Sequence, residues 1–592
     1  MSENLQSSGV SRGKASNGKR IMVFLGMLLL GALIYLIFGG IFSGIGVPMY
    51  VTGIIAAVLF APLAITCLLQ WNKLYGVYSS GNEQNTLRLS KWERLTYKLM
   101  KRILGIPAAI GRLFAKIGKG CVNLVKRIGA EIKDIVTTFV HGDWKTKLSY
   151  LVMGFGNIAR GQVLRGLLFL LFEIVFVGYM ILTGAYWLSM LPSLGKVAPI
   201  PNGRYNEALD VYEPIYGDNS FKILLYGVLT IFFIIAFIYT WRLNVKQNKL
   251  AEQILSSGKK LRSGKDDLRS MVDDQFHKTL LALPLTGILI FTVMPIVFMV
   301  LVAFTNYDGA HNGFSNNLFG WMGMSNFNTL LSWEVKGGAG TQSYAATFGE
   351  VLSWTLIWAF FATFTNYFLG MLVAMAINKK GIRFKKGWRT ILVLTIAIPQ
   401  FISLLYVSKM FARNGLVNQF LMDMGWIKEA LPFWEDATCA RITVIILNIC
   451  IGIPYLMLIT TGILMNIPAD LYESARIDGA NAWQQYRKIT LPYMLFVTGP
   501  YLLTSFTGNM NNFNVIYLLT GGAPTNAAAS SAAGTVGYTD LLITWLFKIT
   551  TGAESQYYMA SVVGILVFVV VAVISLVVYN LLPSIKNEED FQ

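Results

Sequence analysis

Apolar runs of about twenty residues or more recur along the chain at 21–43, 49–70, 164–188, 221–240, 279–305, 351–378, 390–411, 442–464, 493–519 and 557–582. About twenty apolar residues in helical form cross the hydrocarbon core of a bilayer. A helix also satisfies its backbone polar groups within its own segment, as lipid demands. The pattern predicts an all-α polytopic membrane protein with about ten transmembrane helices. The first run follows a basic N-terminus, but it is too long for a signal-peptide core and lacks a clear small-residue cleavage site, so it is expected to remain in the mature chain.

The polar segments between these runs divide the chain. Residues 1–20 are Ser-, Gly- and Asn-containing and basic, the composition of a disordered tail. Residues 21–240 hold four runs, and 241–278 form a charged linker. Residues 279–592 hold the remaining six runs. Within 73–163, Ile110, Leu113, Phe114, Ile117, Cys121, Leu124, Val125, Ile128, Ile132 and Ile135 recur at helical spacing, with Arg112, Lys116, Lys119, Lys126, Arg127 and Lys133 among them. That is a basic amphipathic helix. Trp92, Leu95, Leu99 and Ile103 predict a shorter one that ends before Pro107. Both suit the headgroup layer of an anionic membrane, and both equally suit packing on neighbouring cytoplasmic elements.

A net charge of +18 would point to nucleic acid in a soluble protein, but here its distribution decides. Segment 73–147 carries 15 Lys and Arg against 5 Asp and Glu, segment 241–278 carries 9 against 5, and 379–389 carries six basic residues and no acid. The intervening links are neutral or acidic. By the positive-inside rule the basic links are cytoplasmic, which places both termini inside and predicts no nucleic-acid partner. Cys67, Cys121, Cys439 and Cys450 show no CxxC spacing, the three histidines form no HExxH, and no GxxxxGK[ST] phosphate loop occurs. Neither a metal site nor ATP hydrolysis by this chain is expected.

One polar island stands out between two apolar runs: "ESARIDGANAWQQYRKITLP", Glu473 to Pro492. Pro468 and Asp470 suit the first turn of a helix, Gly479 interrupts it as a hinge, and "NAWQQYRKITLP" predicts a second short helix ending where Pro492 turns into the next span. Two amphipathic helices about a hinge suit docking on a soluble partner; periodicity alone fits a solvated loop as well. In the late runs, Asn448, Gly452 and Tyr455 share one helical face, and Ser505, Asn509 and Asn512 another. Polar groups inside spans face a bundle interior or a water-filled cavity. Asn amides match sugar hydroxyls and Tyr offers an apolar face with a polar tip, while Gly452 leaves space beside a ligand. Interhelical hydrogen bonding is the alternative role for these asparagines.

Glu473-Ser474-Ala475-x-x-x-Gly479, followed after nine intervening residues by Ile489-x-Leu491-Pro492, resembles the "EAA" loop of ABC importer permeases, with Ser474 in place of the middle alanine. The resemblance extends over roughly 279–592 through "AFTNYD", "LNICIGIPYLML", "SFTGNMNNFNVIYLLTGGAPTN", "GYTDLLITWLFKI" and "NEEDFQ", and narrows to carbohydrate permeases of the maltose/maltodextrin (MalF) type. It implies a type I permease core in 279–592, with 466–492 as the loop that docks on a separate ATPase. ATP and Mg would then sit on that partner, with no cofactor in this chain. It further implies a second, MalG-like permease subunit, an ATPase dimer, an extracellular sugar-binding protein and a location in the bacterial plasma membrane.

The family pattern N-x-x-[apolar]-G-x-x-Y falls on Asn448, Ile451, Gly452 and Tyr455, and S-x-x-x-N-x-x-N on Ser505, Asn509 and Asn512. The resemblance implies a mid-membrane oligosaccharide site there, for a maltodextrin-like or galactosyl sugar. Ile396 and Gly508 stand where the family carries aromatics, and Gln400 where it carries serine, which implies a different, longer or more loosely held sugar. A permease for another solute such as glycerol phosphate, and a membrane sensor or scaffold with a vestigial permease half, are the competing readings.

Overall fold

The structure is a computed structural model that describes residues 18–28, 49–80, 89–215, 217–314, 317–334, 342–379 and 381–581. Most of the tail 1–20, the first run beyond residue 28 and the "NEEDFQ" terminus lie outside these residues. Among them, seven helices are long and apolar enough to cross a membrane, or eight if one bent pair counts as a single span.

The second run forms helix α1 (Met49–Leu69), of which Phe60–Leu69 counts as a shorter apolar helix. Helix α2 runs unbroken from Lys91 to His141, closed at its start by a capping box between Ser90 and Glu93. The expected stop before Pro107 is therefore corrected. Proline inside a helix costs about 3 kcal/mol, and the amphipathic pattern on both sides together with anchoring at both ends outweighs it. Helices α3 (Val163–Met190) and α4 (Ser220–Ser256) follow, joined by an antiparallel hairpin of β1 (Ile200–Asn206) and β2 (Val211–Ile215). Helix α4 continues through the first half of the expected linker. There it is pinned by a buried network in which Arg160 donates to Asn248 at 2.8 Å and Asp143 at 2.5 Å, and Gly154 donates to Asn244 at 2.9 Å.

The later block comprises α5 (Phe276–Val302), α6 (Tyr344–Asn378), α7 (Lys385–Ala397), α8 (Gln400–Met410), α9 (Ala437–Leu464), α10 (Ala469–Ile477), α11 (Ala482–Met510), α12 (Phe513–Leu519), α13 (Leu542–Thr551) and α14 (Tyr557–Leu581). Two expected spans are corrected. The run 390–411 is bent by 90° between α7 and α8, because Pro399 donates no hydrogen bond and drives Ile398 into extended backbone. The run 493–519 breaks at Asn511, and its span begins upstream at Ala482, since the helix passes through a π-helical turn at Tyr486–Thr490 without turning at Pro492. Helix α6 packs along α9, and Trp354, Trp358, Val444, Leu447 and Ile516 form a shared core.

Candidate functional site

Helix α6 carries a π-helical turn at Phe361–Thr365, where the extra residue disturbs the ladder and re-aims side chains. This turn contacts both α9 and α11. Asn509 of α11 donates from Nδ2 to Thr363 Oγ1 at 3.0 Å, and the Trp358 indole donates to the Asn509 carbonyl at 3.1 Å. Asn512 donates to Asn509 Oδ1 at 3.4 Å and caps α12 by accepting from the Val515 amide at 3.3 Å. The single face expected for Ser505, Asn509 and Asn512 is thus corrected: α11 ends at Met510, and Asn512 stays beside Asn509 only through the turn that follows.

On α9, Asn448 is buried and Ile451 packs against the shared core, while Tyr455 is 53% exposed. The space expected beside Gly452 is already taken, for a Cβ placed there would collide with the amide nitrogen of Asn366. Asn366 follows the π-helical turn directly, is only 6% exposed, and its Oδ1 accepts no hydrogen bond from the described residues. A buried polar atom without a partner costs about 1–3 kcal/mol, so this amide is poised to accept one. Tyr501 and Ser505 are half-buried on α11, Gly508 is exposed, and so are Ile396 and Gln400, which flank the break between α7 and α8. The chain by itself therefore brings Asn509, with Asn512 beside it, to Thr363 in the turn of α6, and Gly452 to Asn366 just after that turn, while Asn448 is buried one helical turn before Gly452. Tyr455, Ile396, Gln400 and Gly508 are instead exposed.

Thr363 and Asn366 went unnoticed in the sequence. Their signal was present in "FATFTN", polar positions inside an otherwise apolar run, but a disturbance of helical period by one residue leaves no mark in hydropathy.

At the other end of α9 and α11, Pro468 precedes α10, on which Glu473 and Ser474 are exposed and Ala475 is half-buried. Gly479 sets the bend between α10 and α11. Gly479 has φ +76°, its amide donates to the Arg476 carbonyl at 3.0 Å, and the Ala480 amide donates to the Ala475 carbonyl at 2.8 Å. This paired closure needs a left-handed residue, which glycine adopts freely. Asn481 and Gln484 then cap α11 reciprocally. Tyr472 and Thr490 share a hydroxyl hydrogen bond of 2.9 Å that ties α10 to the π-helical turn of α11. Leu471, Ile477 and Trp483 are exposed, a set of apolar side chains on a polar loop. Leu491 packs into the bundle beside Tyr367 and Met371. Ile489 and Pro492 line an apolar groove of about 870 Å³ with Phe364 and, on α14, Ile574 and Val578. Phe364 belongs to the π-helical turn, so the groove joins the loop to the polar site.

Comparison with known proteins gives a consistent result. Residues 366–587 match the family described as binding-protein-dependent transport system inner membrane component. The maltodextrin transport system permease protein MalC of Streptococcus pneumoniae is 33% identical over 75% of this chain and 97% of its own length. The galactooligosaccharides transport system permease protein GanP of Bacillus subtilis is 33% identical over 63% of this chain and 85% of its own. The maltose/maltodextrin permease protein MalF of Escherichia coli is 34% identical over 39% of this chain and 44% of its own.

Proposed function

Since the chain belongs to the family of binding-protein-dependent permease subunits of ABC sugar importers, we propose that it carries an oligosaccharide, maltodextrin-like or galactosyl, across the bacterial plasma membrane. The sugar is handed over by an extracellular binding protein. A second permease subunit covers the face bearing Tyr455, Ile396, Gln400 and Gly508 and completes the site. Both termini and the 466–492 loop are cytoplasmic, where basic links belong. There α10 and the exposed Ile477 and Trp483 dock on a separate ATPase, which holds ATP and Mg.

The observation that carries this reading is the meeting of Asn366 and Asn509 at one π-helical turn within a span, with an unpartnered Asn366 oxygen among the described residues. Such amides offer donors and acceptors together and suit neutral sugar hydroxyls rather than a phosphate, since none of them is cationic. Movement of the docked loop passes through the Tyr472–Thr490 contact into α11 and through the Phe364 groove into α6. The two arrangements of these helices expose the polar cluster to opposite sides, a shift set by differential binding of nucleotide to the two states.

Uptake of labelled maltodextrins and galacto-oligosaccharides is measured in cells with and without a deletion of this chain. Loss of one sugar series, restored by wild type and not by Asn509→Ala, is the expected result. Unchanged uptake of both series, with loss of glycerol phosphate uptake, would overturn the substrate class.

A further inference from the structure

Helix α2 is a rod of about 76 Å at 1.5 Å per residue, far longer than any element needs to link α1 to α3. Both of its ends are held beside the ends of apolar helices. Near its start, the Trp92 indole donates to Thr66 of α1 at 3.2 Å, and Tyr97 and Met100 pack with Ala64, Cys67 and Trp71. Near its end, Glu131 pairs with Arg242 and Asp134 with Lys249, just past the apolar part of α4. Two attachments some thirty residues apart, each beside the end of an apolar helix, bracket a stretch too rich in Lys and Arg to cross a bilayer.

Between the attachments the helix runs clear of the described residues. A Cβ placed at Gly118, Gly120 or Gly129 would find no atom within 4 Å. Its stripe of Leu124, Val125, Ile128, Ile132, Val136 and Phe139 is exposed, Val125 to 68%. At 100° per residue, Lys133 and Lys126 fall about 60–80° beyond one edge of this stripe and Arg127 and Lys116 about 60–80° beyond the other. The two acids nearby are consumed by their pairs with α4, so the exposed charge is positive. Long basic side chains on the borders of an apolar stripe bury their stems and reach phosphate oxygens from below.

We propose that Lys91–His141 is an in-plane anchor for anionic phospholipid, with its apolar stripe in the headgroup layer and its bordering lysines and arginine on lipid phosphates. The choice of leaflet rests on the orientation proposed above; the lipid contact does not. The anchor would hold the added N-terminal helices at fixed depth while the later block changes shape.

The test uses the full chain with its four cysteines replaced, carrying an environment-sensitive fluorophore at Val125→Cys or, as the polar-face control, at Asn123→Cys, in nanodiscs of phosphatidylcholine with or without about 30% phosphatidylglycerol. Quenching by spin-labelled lipid should be about threefold stronger at position 125 than at 123 in the anionic discs. That ratio should fall towards one in Lys126→Glu/Arg127→Glu/Lys133→Glu. Equal quenching at both positions in anionic discs would overturn the proposal. Protection of position 125 from both aqueous iodide and spin-labelled lipid would overturn it as well, showing a protein cover instead. The discs without phosphatidylglycerol test the charge requirement with every native lysine in place, and a ratio unchanged there would refute it. Sugar uptake, measured separately, is not needed for any of these outcomes.

Discussion

Replacement of Gly479 isolates the mechanical role of the 466–492 loop, because the perturbation is purely conformational. With φ at +76° and no atom within 4 Å of the position a methyl group would occupy, Gly479→Ala meets no steric clash. The penalty is that of holding an L-residue in the left-handed region, about 1–2 kcal/mol. Each 1.4 kcal/mol is tenfold in an equilibrium, so the loop with both of its closing hydrogen bonds intact loses population by roughly 5- to 30-fold relative to opened forms. Gly479→Asn, whose side chain tolerates this region, should lose only a fraction of that, and β-branched Gly479→Val more than alanine. The spans are untouched, so membrane insertion and thermal unfolding should stay near wild type. ATP-driven sugar uptake by the complete transporter in proteoliposomes should follow the order Gly, Asn, Ala, Val. Wild-type uptake with valine at this position, or a rank order that tracks side-chain volume and places asparagine below alanine, would refute the reasoning.

Lys548→Met removes the partner of Asp540, whose carboxylate is fully buried 2.7 Å from the ammonium; a loss of about 3 kcal/mol is expected, seen as lowered thermal stability. Adding Asp540→Asn should recover part of it, because the amide oxygen still accepts from Gly537. A double-mutant cycle of Asn509→Ala and Thr363→Val should give a coupling energy near 0.6 kcal/mol in stability, and uptake lost in Asn509→Ala beyond what Thr363→Val loses marks a role for Asn509 past packing. For Asp143, burial raises the carboxyl's pKa, but the amide and hydroxyl of Thr146 and the Arg160 guanidinium more than offset it and hold it below the ordinary value of 3.8. A depressed carboxylate stabilises the fold above that value and loses its contribution as pH falls through the folded value. Hydrogen-exchange protection relative to the intrinsic rate in 143–162 should therefore fall as pH drops below 3.8, and Arg160→Gln should shift that loss to higher pH.

Membrane class, the permease family and most of the late spans could be read from sequence because each rests on a local cue. Apolar runs report burial in lipid directly, and the Glu473–Pro492 pattern keeps fixed spacing within one continuous segment. Where the reading failed, the deciding cue was local but overruled or hidden. Pro107 did not end α2, while Pro399 bent its span by 90°. The same residue type acts oppositely because one sits in a long, doubly anchored helix and the other beside a break lined by the site.

The sequence by itself determined that this chain is a membrane protein resembling importer permeases, and which asparagines were worth attention. Tertiary structure decided what those asparagines touch. Asn509 meets Thr363, Asn366 fills the space beside Gly452 with an oxygen that finds no partner among the described residues, and Gly479 closes α10 in a left-handed turn. Helical spacing fixes only which residues share a face of their own helix. Which neighbour meets that face depends on a one-residue π-helical turn in α6, and that register is set by packing among three helices distant in sequence.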